Sequence, residues 1–476
     1  MEAWIILVAL LAATMAYVLH AHRRTDLGPL RVPGLPLLGN TLQLGASGAP
    51  FIRQCRQEHG DTFTLKLIGR PITLCCNPKA VAAIYSAPED MITFRPAVEQ
   101  FTQRIFGIPS GPFFDRHLDI LNALRMLLTA QHLRSHQQAL IQHMRQHLQQ
   151  TERQHGKVDL VSFITSLIFN AAVSTLFGAS FLPRHGADKV MAAFSTFEKN
   201  FELAASLVPH SLLRAFCRAR SFLLKAFKVS YDQGDFRDTV AGNMIANCPW
   251  LPASIAPNML LALQWASQAN SVPATFWAYA HLLLPQHMEL HEAVRESLKG
   301  GDDDDIIAAA MDSRGLLAKV VAEAVRLYSP GMDVRMAACD LQLPNSTGTD
   351  FLPKGRMLAV SPYEMHTAPD IYGPTATLFD PLRAIPHADD AAKGSGAPAW
   401  SWGHAGIAFG AGQFRCPGRQ FAEAEIAVVV AFLLTCFKAQ LQPSGDGRIQ
   451  LPEPELRRQI GVRWPRTACR AALCVR

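Results

Sequence analysis

The sequence predicts a mainly helical body with small β-sheets, preceded by an apolar amino-terminal membrane anchor. Three observations predict it. Hydrophobic residues make up 49% of the 476-residue chain and charged residues 18%, which supplies a large core and excludes a disordered or fibrous chain. Apolar residues recur at helical spacing over most of the length, whereas strict alternation is confined to short stretches. Residues 3–19 form a run of 17 uncharged, mostly apolar residues, and no second run of comparable length and apolarity follows. The net charge of +6, from 45 Lys and Arg against 39 Asp and Glu, is too mild to argue for nucleic acid without a concentrated patch. It suits an acidic partner or a membrane surface. The ten cysteines are scattered without a CxxC pair, which argues against a disulfide framework and for a reducing compartment.

Taken in order, residues 1–24 read as a single-pass anchor with its basic flank. As a helix the run spans about 26 Å, close to the ~27 Å core of an endoplasmic reticulum bilayer. Glu2 precedes it and His20, His22, Arg23 and Arg24 follow, so the positive flank holds the body in the cytosol. A cleaved signal peptide, which prefers positive charge before the run, and a buried amino-terminal helix are the competing readings. Residues 25–39 form a proline-rich linker, stiff because Pro29, Pro33 and Pro36 each fix φ and remove a donor. Residues 40–476 show no internal repeat and no composition break, and read as one α-rich domain.

Within that body, Thr62 to Leu67 alternates polar and apolar, and 68–71 turns the chain into a return strand at 72–75. Residues 132–154 are polar and predict an exposed helix. The stretches 158–176, 191–207 and 212–229 carry apolar residues at helical spacing, and a long helix runs through 260–273. Gly300 and Gly301 open a loop, with Asp302 to Asp305 as a solvated turn. Strand-like pieces return at 334–343 and 357–360, and 419–437 predicts a long apolar helix.

The chemistry concentrates in Phe409-Gly410-Ala411-Gly412-Gln413-Phe414-Arg415-Cys416-Pro417-Gly418. Pro417 suits a first helical turn, which places Cys416 at a helix amino terminus, where dipole and free N–H groups favour a thiolate. A thiolate in a glycine-rich loop, whose backbone approaches a flat ligand closely, is what an iron porphyrin needs. The competing reading is a buried structural cysteine. Glu323 and Arg326 share a helix face three residues apart. Arg383, in Phe379-Asp380-Pro381-Leu382-Arg383, is placed to complete a buried cluster with them, against the alternative of an exposed ion pair.

These motifs stand in the order found in the cytochrome P-450 superfamily of haem-thiolate monooxygenases, which the chain resembles over essentially its whole length. The resemblance implies the cytochrome P-450 fold, with 40–476 as the catalytic domain. It implies haem b held through Cys416 as axial thiolate and metal ligand, with Phe409, Gly412 and Gly418 in the cofactor loop. Arg335 matches the family's haem-propionate arginine, and Arg125 falls where a second propionate contact is common. Leu121 stands where that contact's tryptophan is expected, and Phe414 where the loop usually has a basic residue.

The same resemblance lays the 260–273 helix across the distal face of the haem. There the family's acid and threonine are replaced by Ala269 and Asn270. Pro273 cannot donate to the Ala269 carbonyl, which leaves that oxygen free. Asn270 offers both a donor and an acceptor, so carbonyl, amide and a water can stand in for the missing hydroxyl; a plain proline kink is the alternative. The Trp-Ala-Ser-Gln-Ala-Asn run from Trp265 resembles the group that holds the sterol 7α-hydroxylases, the sterol 12α-hydroxylase and prostacyclin synthase. Ser329-Pro330-Gly331 and Phe201-Glu202 resemble the 24-hydroxycholesterol 7α-hydroxylases.

The expected activity is therefore that of a membrane-bound steroid hydroxylase. It uses molecular oxygen and electrons from NADPH, delivered by a separate reductase because no flavin or nicotinamide motif is present. Arg415 and Arg419 offer either a docking edge for an acidic reductase or a solvated basic edge. A haem-thiolate isomerase of oxidised lipids and a non-catalytic haem lipid binder are the alternatives. Apolar pocket candidates are Phe106, Ile108, Phe113, Phe114, Ala266 and Ala269.

Overall fold

The structure, a computed structural model, describes residues 28–68, 70–127, 130–150, 156–329, 331–346, 348–383, 406–445 and 447–476; side chains at 112, 117, 118, 125–127, 130 and 131 lie outside that description. The expected anchor at 1–24 and the first linker residues lie outside the described residues. Two compact units form, one from 28–94 with 334–361 and one from 95–333 with 362–476. The smaller unit draws on two separate stretches of chain, so no break along the sequence marks it.

In the smaller unit the chain runs through α1 (Thr41–Ser47) and α2 (Ala49–His59) into the hairpin of β1 (Thr62–Leu67) and β2 (Arg70–Cys75). Thr62 faces Cys75 and Leu67 faces Arg70, the register that the alternation predicts. Thr64 and Thr73 share a buried hydroxyl contact of 3.0 Å across the strands. The linker adds to the open edge: Val32 donates to the Thr64 carbonyl at 3.0 Å, and Thr64 donates to that of Leu30 at 2.8 Å. Gly39 turns this segment at φ +57°, with Lys66 O only 2.1 Å from where a Cβ would lie, so a side chain is excluded there. Helix α3 (Pro78–Ser86) starts on Asn77, whose side chain accepts from Lys79 and Ala80. Strands β3 (Ile92–Thr93) and β4 (Asp333–Ala337) follow. After the small hairpin of β5 (Leu341–Pro344) and β6 (Thr349–Leu352) comes β7 (Met357–Val360). The main sheet has the order β1-β2-β7-β4-β3, with β7 parallel to β2.

The larger unit is helical. Its main elements are α4 (His117–Leu127), α5 (Ala130–Gln150), α6 (Leu160–Phe177), α7 (Ala187–Lys199), α8 (Phe201–Ala205), α9 (Arg214–Asp232), α10 (Ala256–Gln268), α11 (Ser271–Leu282), α12 (Asp303–Met311), α13 (Leu316–Leu327) and α14 (Arg419–Cys436). One core gathers around α11, α13 and α14. A second, rich in phenylalanine, gathers around α6, α7 and α9. Among the described residues α6 is the one helix long and apolar enough to cross a membrane, yet 56% of it is buried and it packs within both cores.

Three expectations change. The helix expected from 158 begins at Leu160, because Gly156–Asp159 pairs as a strand with Arg470–Val475. Asp159 then caps α6 by accepting from Ser162. The aspartate run is not a loose turn: Asp302 caps α12 at 2.8 Å from the Asp305 N–H, and Asp303 to Asp305 fill its first turn, where carboxylates meet the positive end of the dipole. The long helix through 260–273 is interrupted at Ala269 and Asn270, between α10 and α11.

Candidate active site

The cysteine loop is shaped by its own backbone. Gly410 and Gly412 both adopt φ +66°, a conformation open to glycine and strained for other residues. Gly410 donates to the Ile407 carbonyl at 2.9 Å, and Cys416 folds back to donate to Phe409 O at 2.9 Å. Helix α14 starts at Arg419, with Gly418 at its cap, so Pro417 lies just before the helix rather than in its first turn. Cys416 keeps exposed surface, and the Gly418 N–H bonds its sulfur. Crowding around the sulfur nevertheless dominates: burial pushes the thiol above its ordinary range, the Gly418 N–H opposes this, and Glu423 adds to the rise. The Gly418 N–H still favours a thiolate, and a bound iron would hold the sulfur in that form. Arg415 is exposed, and Arg419 pairs with Glu423 at 2.8 Å.

Glu323, Arg326 and Arg383 come together as a buried cluster. Arg326 is fully buried and grips Glu323 bidentately, Nε to Oε2 at 2.7 Å and Nη2 to Oε1 at 2.8 Å. Its Nη1 donates to the carbonyls of Ala376, at 2.8 Å, and of His366. Arg383 Nη2 stands 3.6 Å from Glu323 and donates to the carbonyls of Thr375 and Leu378. The Asp380 N–H completes Glu323 at 2.9 Å. Three charges thus hold the 366–383 segment against α13.

His366 extends this cluster to the cysteine loop. The Ile407 N–H donates to its Nε2 at 2.9 Å, so Nε2 is the unprotonated nitrogen and Nδ1 carries the proton toward Ser329 Oγ, 3.0 Å away. Burial, reinforced by Arg326, pushes its pKa down to about 3, which keeps the ring neutral. Sequence reasoning missed this residue, because a single histidine in 362–366 carries no spacing signal.

At the helix break, Ala269 still donates to Trp265, but Pro273 has no N–H to return to Ala269. Asn270 Oδ1 accepts the Val462 N–H at 2.9 Å, which ties the helix break to the 459–462 segment and uses one of that oxygen's two lone pairs. Gly461, at φ +73°, leaves only 2.7 Å between a Cβ and Oδ1, which explains its lack of a side chain. The bent 459–462 segment is also held by Glu202, whose Oε1 accepts from Gln459 at 2.9 Å and from Ile460 at 2.7 Å. Phe201 stacks on Trp265 at 4.1 Å. Phe106 and Ile108 are core residues, Phe113 and Phe114 meet edge to face, Ala269 is buried and Ala266 exposed.

Arg335 belongs to the smaller unit, where it is buried, lies 4.1 Å over the Phe94 ring and donates to the Val334 carbonyl. Arg125 lies on α4, and its side chain is outside the described residues.

A family model described as Cytochrome P450 matches residues 29–248 and 258–462. The chain belongs to the cytochrome P450 family. Curated relatives include the 24-hydroxycholesterol 7-alpha-hydroxylase of Mus musculus, 25% identical over 98% of this chain and 97% of its own. Cytochrome P450 7A1 of Oryctolagus cuniculus is 25% identical over 93% of each chain. Cholesterol 7-alpha-monooxygenase of Cricetulus griseus is 24% identical over 92% of each. A cytochrome P450 is an oxidoreductase, a monooxygenase that uses haem with a cysteine thiolate ligand and takes electrons from NADPH through a reductase. The loop fits such a group. It offers an exposed thiol flanked by glycines, and even at Gly418 a Cβ would stand 3.9 Å from the sulfur.

Proposed function

We propose that this cytochrome P450 hydroxylates a sterol or oxysterol, with the 7α position of an oxysterol as the leading candidate, and that Cys416 is its haem ligand. The observation that carries the ligand is the folded-back loop: Cys416 is pinned to Phe409 O and backed by the Gly418 N–H. When bound, haem supplies the activation of dioxygen and the insertion of one oxygen atom into a C–H bond. The chain's own part is to hold the sulfur, exclude water and position the substrate. Phe409, Gly412 and Gly418 shape the loop. Phe106, Phe201 and Trp265 pack together in the phenylalanine-rich core beside α10, with Phe201 stacked on Trp265. The substrate class follows the names of the relatives, and the propionate roles of Arg335 and Arg125 rest on the sequence resemblance alone.

The membrane reading rests on the apolar run at 3–19 and its basic flank, with the body on the cytosolic face of the endoplasmic reticulum. Exposed Leu30, Leu35, Leu37, Leu38, Leu42 and Ile68 add apolar surface to the segment that follows.

Cys416→Ala is expected to abolish the thiolate-type absorption band of the reduced carbon monoxide complex, while Cys436→Ala and Cys469→Ala retain it. Retention of the band without Cys416 overturns the ligand assignment. Reconstitution with reductase, NADPH and a panel of oxysterols tests the substrate class. Reductase-free rearrangement of a lipid peroxide, with no sterol oxidation, decides for an isomerase instead.

A further inference from the structure

A buried carboxyl beside the distal break takes no part in the reading above. Glu425, on α14, is 3% exposed. Ser271, first residue of α11 and neighbour of Asn270, bonds its hydroxyl to this carboxyl. The Glu425 Oε2 has no hydrogen-bond partner among the described residues. Glu425 lines a small cavity together with Gln137 of α5 and Thr175 of α6. Gln137 is likewise 3% exposed, and neither its amide oxygen nor its nitrogen has a partner among the described residues. Buried polar atoms are rarely left unpaired; the cavity, of about 10 Å³, is lined mostly by apolar side chains, and the unpaired atoms of Glu425 and Gln137 supply the two or more polar partners that one water needs.

We propose that Glu425 is a proton station for the monooxygenase reaction. It passes a proton through the Ser271 hydroxyl toward the Ala269–Asn270 break, and it is recharged by a water held between Gln137 and its own Oε2. In each transfer the Ser271 proton moves on as the Glu425 proton replaces it. The cavity water hands a proton to the carboxylate as it takes one from bulk solvent, so the water and both side chains end as they began. The electrons come from NADPH. The proposal rests on the distal placement of α10 and α11.

Three observations support it. Asn270 has no acidic proton to give, and its oxygen already accepts the Val462 N–H. Burial pushes the Glu425 pKa up to about 7, opposed by the Ser271 bond, so the acid is loaded near neutral pH. Of the residues that line the cavity with Glu425, His136 is the one with a titratable side chain, and no charged group contributes to the shift.

The test uses the full chain with haem bound, and compares Glu425→Gln, Ser271→Ala and the double variant. Glu425→Gln keeps volume and the acceptor for Ser271 but removes the acid. Expected are an intact thiolate band, a roughly tenfold lower yield of product per NADPH, and more hydrogen peroxide. Ser271→Ala is expected to reproduce the loss, with no further loss in the double variant, because the two act in series. A second readout needs no turnover. A carboxyl whose folded pKa is raised from 4.5 to about 7 adds stability that is complete below pH 4.5 and is lost as pH rises through about 7. The melting temperature of the parent therefore falls across that window more steeply than that of Glu425→Gln. Unchanged coupling in both single variants, additive losses, or identical melting profiles overturn the proposal. If Glu425→Gln does not fold, unchanged coupling in Ser271→Ala alone overturns it. A missing thiolate band, or no NADPH-dependent turnover in the parent, counts instead against the proposed function.

Discussion

Two buried carboxyls in one unit, Glu323 on α13 and Glu425 on α14, are treated in opposite ways. Glu323 meets a bidentate arginine, a second arginine and a backbone N–H, so both of its oxygens are hydrogen-bonded and its charge is matched. Glu425 meets one hydroxyl, a cavity and an unpaired glutamine. Both are equally hidden from solvent. The difference lies in charge compensation. A fully compensated group locks its surroundings and has nothing left to exchange. A half-compensated one stays neutral through desolvation and keeps a proton that can move. Burial alone therefore does not separate a structural acid from a chemical one; the count of its partners does.

The largest expected effect that breaks this contrast is at Glu323. Glu323→Ala leaves the Arg326 guanidinium buried without its counter-ion, and removing one partner of a buried pair costs about 3–5 kcal/mol. The loss also frees the 366–383 segment that leads through His366 to the cysteine loop. Aggregated or haem-poor protein is expected, read from soluble yield and the ratio of haem to protein absorbance. Normal yield with full haem content would show that the cluster is dispensable and the contrast misplaced.

An intermediate effect is expected at Asn270. Asn270→Leu strands the half-buried Val462 N–H, at a cost of about 1–3 kcal/mol. It should loosen the 459–462 segment that Glu202 also holds, with a lower melting temperature and faster amide exchange at 459–462. If the variant instead keeps its stability but leaks peroxide, Asn270 acts on protons directly and not as a backbone clasp.

The smallest effect belongs to the other side of the comparison. Gln137→Leu removes two polar atoms that have no partner among the described residues, at the loss of no more than the one water proposed to lie against them. Stability is expected to change by no more than about 1 kcal/mol in denaturant titration. A loss as large as that of Glu323→Ala would mean that Gln137 is as fully engaged as the arginine cluster.

Much was legible from residue type and spacing. The β1–β2 hairpin, the polar helix at α5 and the apolar α14 follow from periodicity, since side-chain burial repeats with the backbone's own period. Glu323 and Arg326 share a face of α13 because residues three apart do so on any helix. The glycines around Cys416 announce a backbone that other residues resist adopting. The interruption at Ala269 and Asn270 follows from Pro273, which has no N–H to give.

What only the tertiary structure decided is where the polar atoms spend their bonds. Arg383 reaches Glu323 only because the chain between them folds back on α13. His366 finds Ile407, 41 residues on, and Asn270 finds Val462, 192 residues on. Glu425 and Gln137 lie on different helices and share one cavity. Crowding around Cys416 pushes its thiol up, an effect that no local motif reveals. Backbone preference is a local property, carried by each residue and its near neighbours. Desolvation and hydrogen-bond satisfaction depend on which distant segments are packed together, and so they exist only once the chain has folded.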